Sequence, residues 1–311
     1  MTSKFPAIAP VLLLAAASFA HADSARFTVI IGGKNVGHLR ADTNGPRTVI
    51  DYDYKNNGRG PTMAETILVD ADGLPTEWTI SGTTTFGSKV AEHFVRKGTR
   101  ASWTDSAGKG AAAARSPSVY VPQSGSPWSD GVFARALLKS AGRQLAALPG
   151  GTLHLEKGEA INVQGRGGPV QVTRYDVSGI DLNPDTILLD ADGGLFASVD
   201  PNFIVVREGY EGEEQRLRQL AADWSTQRFV DIERAAAHHY AGPVRVRNVR
   251  LFDPLTSSLT APKSVVVMGR DISAVEALDS PATPGETEID GAGGTLIAGF
   301  YEMHAHLGQD G

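Results

Sequence analysis

The sequence predicts a mainly β chain with a few helices: an antiparallel curved sheet or half-barrel holding one helix, then a long helix and a further set of strands. Three observations predict it. From Arg26 to about Arg207, short alternating or β-rich segments are separated by glycine, proline and aspartate turns. Between Ser129 and Leu148 the apolar residues fall at helical spacing. Between Glu211 and Tyr240 they do so again, with charge on the opposite face.

The elements follow in chain order. Residues 1–22 carry Lys4, an apolar run from Ala7 to Ala20, and small residues at Ala20 and Ala22 before Asp23. That pattern is a secretory signal peptide, too short in its apolar core to span a bilayer, with cleavage expected after Ala22. It implies a periplasmic or secreted protein with no stable membrane anchor once the peptide is removed. Phe27–Ile31 is a strand, Gly32-Gly33-Lys34-Asn35 has turn chemistry, and Val36–Leu39 starts the return strand. Further strands are expected at 47–54, 64–70, 75–81, 89–96 and 99–104.

One theme occurs twice: Ile67-Leu68-Val69-Asp70-Ala71-Asp72-Gly73-Leu74 and Ile187-Leu188-Leu189-Asp190-Ala191-Asp192-Gly193-Gly194-Leu195. Each reads as strand, Asp-Gly turn, strand, since a calcium loop would need further oxygen ligands and a distal glutamate. The helix beginning at Ser129 or Asp130 is expected to run past Leu145 and Leu148 to Pro149-Gly150. The long helix from Glu211 to Tyr240 includes His238-His239, but adjacent helical side chains diverge by about 100° and do not converge on one ion. After Ala241-Gly242-Pro243, strands return at 244–253, 263–268 and 272–278, with a loop at 280–288.

Composition excludes several classes of function. There is no cysteine, so disulfides, thiolate catalysis and cysteine metal sites are ruled out. The formal net charge is −6 and no basic run is long enough to track a phosphate backbone, so nucleic acid is not an expected partner. No Gly-x-Ser-x-Gly elbow and no phosphate-binding glycine loop is present. His93 and His154 stand alone in strand-like segments and read as structural.

The C-terminal residues carry the one chemical signature. In Phe300-Tyr301-Glu302-Met303-His304-Ala305-His306, an extended strand would put His304 and His306 on one face, where both imidazoles can reach one ion. Before them stands Ile289-Asp290-Gly291-Ala292-Gly293-Gly294-Thr295-Leu296-Ile297-Ala298-Gly299, and before that the strands from Val244. The block from Val244 to Leu307 resembles the start of the metal-dependent amidohydrolase superfamily, with Ala298 where proline is usual and Glu302 where aspartate is usual. The resemblance implies a partial amidohydrolase β-sandwich at 243–297 and the start of a truncated metal-dependent (β/α)8 barrel at 298–311. These follow a β-rich domain at 23–208 and a connecting helix at 209–242.

It further implies an exported enzyme that hydrolyses C–N bonds of a small amide or cyclic amide with water activated by a divalent metal, zinc above all, bound in part by His304 and His306. The catalytic residues would lie beyond Gly311, so the chain is expected to be a fragment that is inactive by itself. The competing expectation is a non-catalytic periplasmic binding or carrier module. A curved sheet with an enclosed helix can offer an apolar pocket, and Phe27, Trp78, Phe86, Phe94 and Trp103 could line it, although composition favours an ordinary core for them.

Overall fold

Fifteen strands joined mostly by tight turns make up the larger part of the computed structural model, which describes residues 23–114 and 117–299. Strands β1 (Asp23–Ile31), β2 (Lys34–Asn44), β3 (Arg47–Tyr54), β4 (Thr62–Val69), β5 (Pro75–Thr83), β6 (Lys89–Lys97), β7 (Arg100–Asp105) and β8 (Gly108–Ala113) form one antiparallel run. After β9 (Ser118–Tyr120) comes helix α1 (Trp128–Lys139). Strands β10 (Gln144–Leu148), β11 (Thr152–Val163), β12 (Val170–Ser178), β13 (Asp185–Leu189), β14 (Leu195–Val199) and β15 (Phe203–Arg207) complete the sheet. Its hydrogen-bonded order runs from β8 to β1, then from β15 back to β9, and only β9 with β10 is parallel. The seam is β1, where Phe27 lies between Leu39 and Arg207.

Both arms of the sheet touch α1. Phe133 packs on Trp78 of β5 and Trp128 on Phe27 of β1, while the helix also rests on β11 to β14. The sheet therefore wraps around the helix, and one core holds both. A second core forms on the other face of β12 to β15, under helix α2 (Glu214–Ala236), whose Leu217 and Ala221 are buried there. Strands covered on both faces lose polar alternation, which explains the unbroken apolar runs Ile187-Leu188-Leu189 and Ile204-Val205-Val206. Ile187 and Leu189 belong to the first core and Leu188 to the second.

The described residues divide into two compact units within α2, one up to Ser225 and the other from Thr226. In the second unit β16 (Val244–Asp253) pairs with β17 (Ser258–Leu259) and β18 (Lys263–Met268), and β18 pairs with β19 (Asp271–Ala277). Strands β20 (Thr287–Asp290) and β21 (Thr295–Leu296) join β16 in parallel. Val249, Val265 and Val266 fill its small core, beside Arg245, which is buried against Glu276 at 2.7 Å and Glu286 at 2.6 Å.

The structure corrects the expected fold in three places. Among the described residues there are two α-helices and no (β/α)8 barrel, so the route through a partial sandwich into a truncated barrel is replaced by a 15-stranded sheet and a separate small sheet. The first helix stops at Lys139, because Ser140 is extended and Gly142 has φ +68°, a left-handed conformation that favours glycine. Leu145 and Leu148 continue the helical spacing only by coincidence and lie on β10. The second helix ends at Ala236, before His238 and His239.

Candidate functional site

Period-two alternation aims two glutamates into the first core. On β4, Met63, Glu65 and Ile67 share the inward face; on β6, Val90, Glu92 and Phe94 do. Both glutamates are buried and both stand opposite Ile80 of β5, one from each side. Glu65 accepts from the Trp78 indole at 2.9 Å and the Ser126 amide at 2.7 Å. Glu92 accepts from the Tyr120 hydroxyl at 2.6 Å and the amides of Gln123 and Ser124 at 3.0 and 3.1 Å. Together they fasten the segment from Tyr120 to Ser126 to the sheet and so place the start of α1. Burial raises the Glu65 pKa, its hydrogen bonds to Ser126 and Trp78 oppose that, and the Glu92 charge adds to it.

Helix α1 then presents Trp128, Val132 and Arg135, one turn apart, to a cleft of about 720 Å³ also walled by Ile67 and Leu195. Arg135 is partly buried and lines the cleft; burial pulls its pKa down while the Asp190 carboxylate acts the other way. The guanidinium lies over the Trp128 ring, 5.3 Å from its centroid. Among the described residues it has no hydrogen-bond acceptor and no ion-pair partner. Asp190 is engaged elsewhere: Oδ2 takes Arg207 at 2.6 Å and Oδ1 takes the amides of Asp192 and Gly194. A second cleft of about 620 Å³ lies between Leu74, Ala136 and Leu145, but its cation, Lys139, is exposed and reaches the Ala71 carbonyl.

A third group of charges sits at the other face of α1. Asp130 is enclosed, and burial and the Asp185 charge raise its pKa well above the usual carboxylate range. The Asp185 carboxyl is pushed up to about 6 by burial, then by the charges of Asp181 and Asp200. Among the described residues no group of three or more histidines and acids is arranged to hold a metal.

The residues singled out from sequence are dispersed. His304 and His306 lie outside the described residues, as does the signal peptide. Phe27, Trp78 and Phe94 are core residues, Trp103 packs on that core, and Phe86 is 81% exposed, so these five do not form a pocket. His93 is an exposed strand residue 3.5 Å from Glu77, and His154 is also exposed. Sequence reasoning missed Glu65, Glu92 and Arg135. Their signal is a charge in apolar phase: Glu65 two residues from Met63 and Ile67, Glu92 two from Val90 and Phe94, Arg135 three and seven from Val132 and Trp128.

No family model matches the chain, and no curated protein matches it. Among solved structures it is similar to a β-barrel-like protein of the domain of unknown function DUF1849 from Brucella abortus, at 14% identity and TM-score 0.35, over 60% of this chain and 94% of that one. It is also similar to a DUF1089 family protein from Pseudomonas aeruginosa, at 13% identity and TM-score 0.28, over 60% of this chain and 95% of that one.

These findings correct the expectation of a metal-dependent amidohydrolase. Neither the family models nor the curated proteins supply one, and the described residues form no barrel of that enzyme type. The resemblance rested on the His304/His306 pair, which lies outside the described residues, and on a glycine connection and small strands, which in this fold are turns and strands of the second unit, Thr295 and Leu296 pairing beside β16. The assignments of hydrolase and C–N bond cleavage fall with it.

Proposed function

We propose that the first unit is a non-catalytic binding module that takes a small ligand into the cleft beside α1, and that it acts outside the cytoplasm. The carrying observation is a partly buried Arg135, without an acceptor or ion-pair partner among the described residues, in a cleft of about 720 Å³ whose walls include the apolar Trp128, Val132, Ile67 and Leu195. That volume falls in the range of small-molecule sites, and a few fixed polar groups among apolar walls are their usual make-up. The leader-like residues 1–22 support export. Among the described residues no helix is long and apolar enough to cross a membrane.

The test uses the uncharged dye N-phenyl-1-naphthylamine, whose fluorescence rises in an apolar site. Saturable binding is expected, and Thr48→Trp, at the cleft wall, should weaken it by about tenfold or more. Binding that is absent, or indifferent to Thr48→Trp, overturns the reading.

A further inference from the structure

Deepening that reading, and resting on it, we propose that Arg135 anchors the carboxylate of a singly charged amphiphile whose apolar body lies along Trp128, Val132, Ile67 and Leu195. Drawing an arginine even partly out of water without a partner costs free energy, because packing does not replace the hydration its charge loses. Here the carboxylate whose charge acts on it, Asp190, is held by Arg207 and two turn amides. Among the described residues no acceptor takes the donors of Arg135.

Their geometry suits one ligand chemistry. The Arg135 guanidinium lies over the Trp128 ring, 5.3 Å from its centroid, and its planar fork of N–H donors is the kind that matches the two oxygens of a carboxylate. Gly131 leaves room for the group: a Cβ there would lie 3.4 Å from Arg135 Nη1 and 3.1 Å from Leu195 Cβ. The rim selects against higher charge, since Asp23, Asp192 and Glu208 are exposed at the cleft with only Arg26 and the paired Arg207 opposing them. A phosphate or nucleotide would bring two or more negative charges to that rim. A monocarboxylate on a long apolar body brings one, and carries it to Arg135.

Calorimetric titration of the purified protein with laurate and with dodecanol tests this. The wild type should bind laurate at least about tenfold more tightly than the uncharged alcohol. Arg135→Gln should abolish that preference while leaving dodecanol binding within about twofold, and Arg135→Lys should restore it in part, keeping the charge without the fork. Equal binding of the two ligands by the wild type overturns the proposal without needing any variant, and leaves the binding module standing. An undiminished preference in Arg135→Gln overturns it as well. If neither ligand nor the neutral dye binds, the binding reading itself fails.

Discussion

Arg207 Nη2 donates to Asp190 Oδ2 at 2.6 Å, and it also reaches the Leu195 carbonyl, five residues beyond that aspartate. The same device occurs in the other arm of the sheet. Arg96 donates to Asp70 Oδ2 at 2.6 Å and to the Pro75 carbonyl, again five residues on. In both, Oδ1 accepts the amides two and four residues later, closing the Asp-Gly turn. A repeated Asp-Ala-Asp-Gly theme in the sequence is thus a repeated turn lock, and in one copy it occupies the carboxylate oxygens of Asp190.

Asp190→Ala removes the acceptor of two turn amides and of Arg207 at once, and is expected to cost about 2 kcal/mol. Asp190→Asn keeps an oxygen for the amides and loses only a partly exposed ion pair, for about 0.5–1 kcal/mol. Urea denaturation of the pair, repeated at Asp70, reads the difference. Equal stability of the Ala and Asn variants would show that the turn amides do not depend on the aspartate.

Arg135 is expected to be a liability to stability, as binding groups without their ligand are. Arg135→Met keeps the length of the stem against Trp128 and removes an unpaired charge, so it should raise stability by about 1 kcal/mol. In a domain of this size that is about 2–4 °C in Tm. A lower Tm by scanning calorimetry would mean that the guanidinium holds the fold, and would contradict its lack of partners.

Glu65 does the opposite work. Its removal in Glu65→Ala strands the Trp78 indole and the Ser126 amide in the core, at about 2–4 kcal/mol, and loosens the segment that positions α1. Glu65→Gln retains one good acceptor and should cost about 1 kcal/mol. Near-UV circular dichroism, sensitive to Trp78 and Trp128, should change more in the first variant than in the second. No change in either would show that the staple does not set the aromatic core.

Much of the first unit was legible because its physics is local. Alternation in Phe27–Ile31 and the Asp-Gly punctuation at Asp72-Gly73 and Asp192-Gly193 specify strands and turns without reference to the rest of the chain. The fifteen-strand order was not legible, since the pairing of β1 with β15 joins Phe27 to Arg207 and depends on a core assembled from both arms. The helix end was misread because Leu145 and Leu148 satisfy a helical spacing while sheet pairing with Leu153 and Tyr120 prevails. At the site the inward charges were visible as breaks in the apolar phase, but that Arg135 is unpaired depends on Arg207, seventy-two residues away in sequence, and no local pattern carries that.

Protons provide the last test. Burial raises the Asp185 carboxyl to about 6, helped by the charges of Asp181 and Asp200, whereas in the unfolded chain an aspartate titrates near about 3.9. Between those values the folded state holds more protons than the unfolded one, so stability falls as pH rises. The contribution is fully present below about pH 4 and is lost above about pH 6. A shift of this size corresponds to at most about 3 kcal/mol, and partial solvent access at Asp185 reduces the expected loss to about 1–2 kcal/mol. Asp185→Asn should flatten the decline, measured as the urea midpoint at closely spaced pH values, and should leave the protein more stable than wild type at pH 7. Asp130 and Glu65 are shifted in the same direction by burial, so an unaltered decline in Asp185→Asn would transfer the effect to them and remove Asp185 as its source.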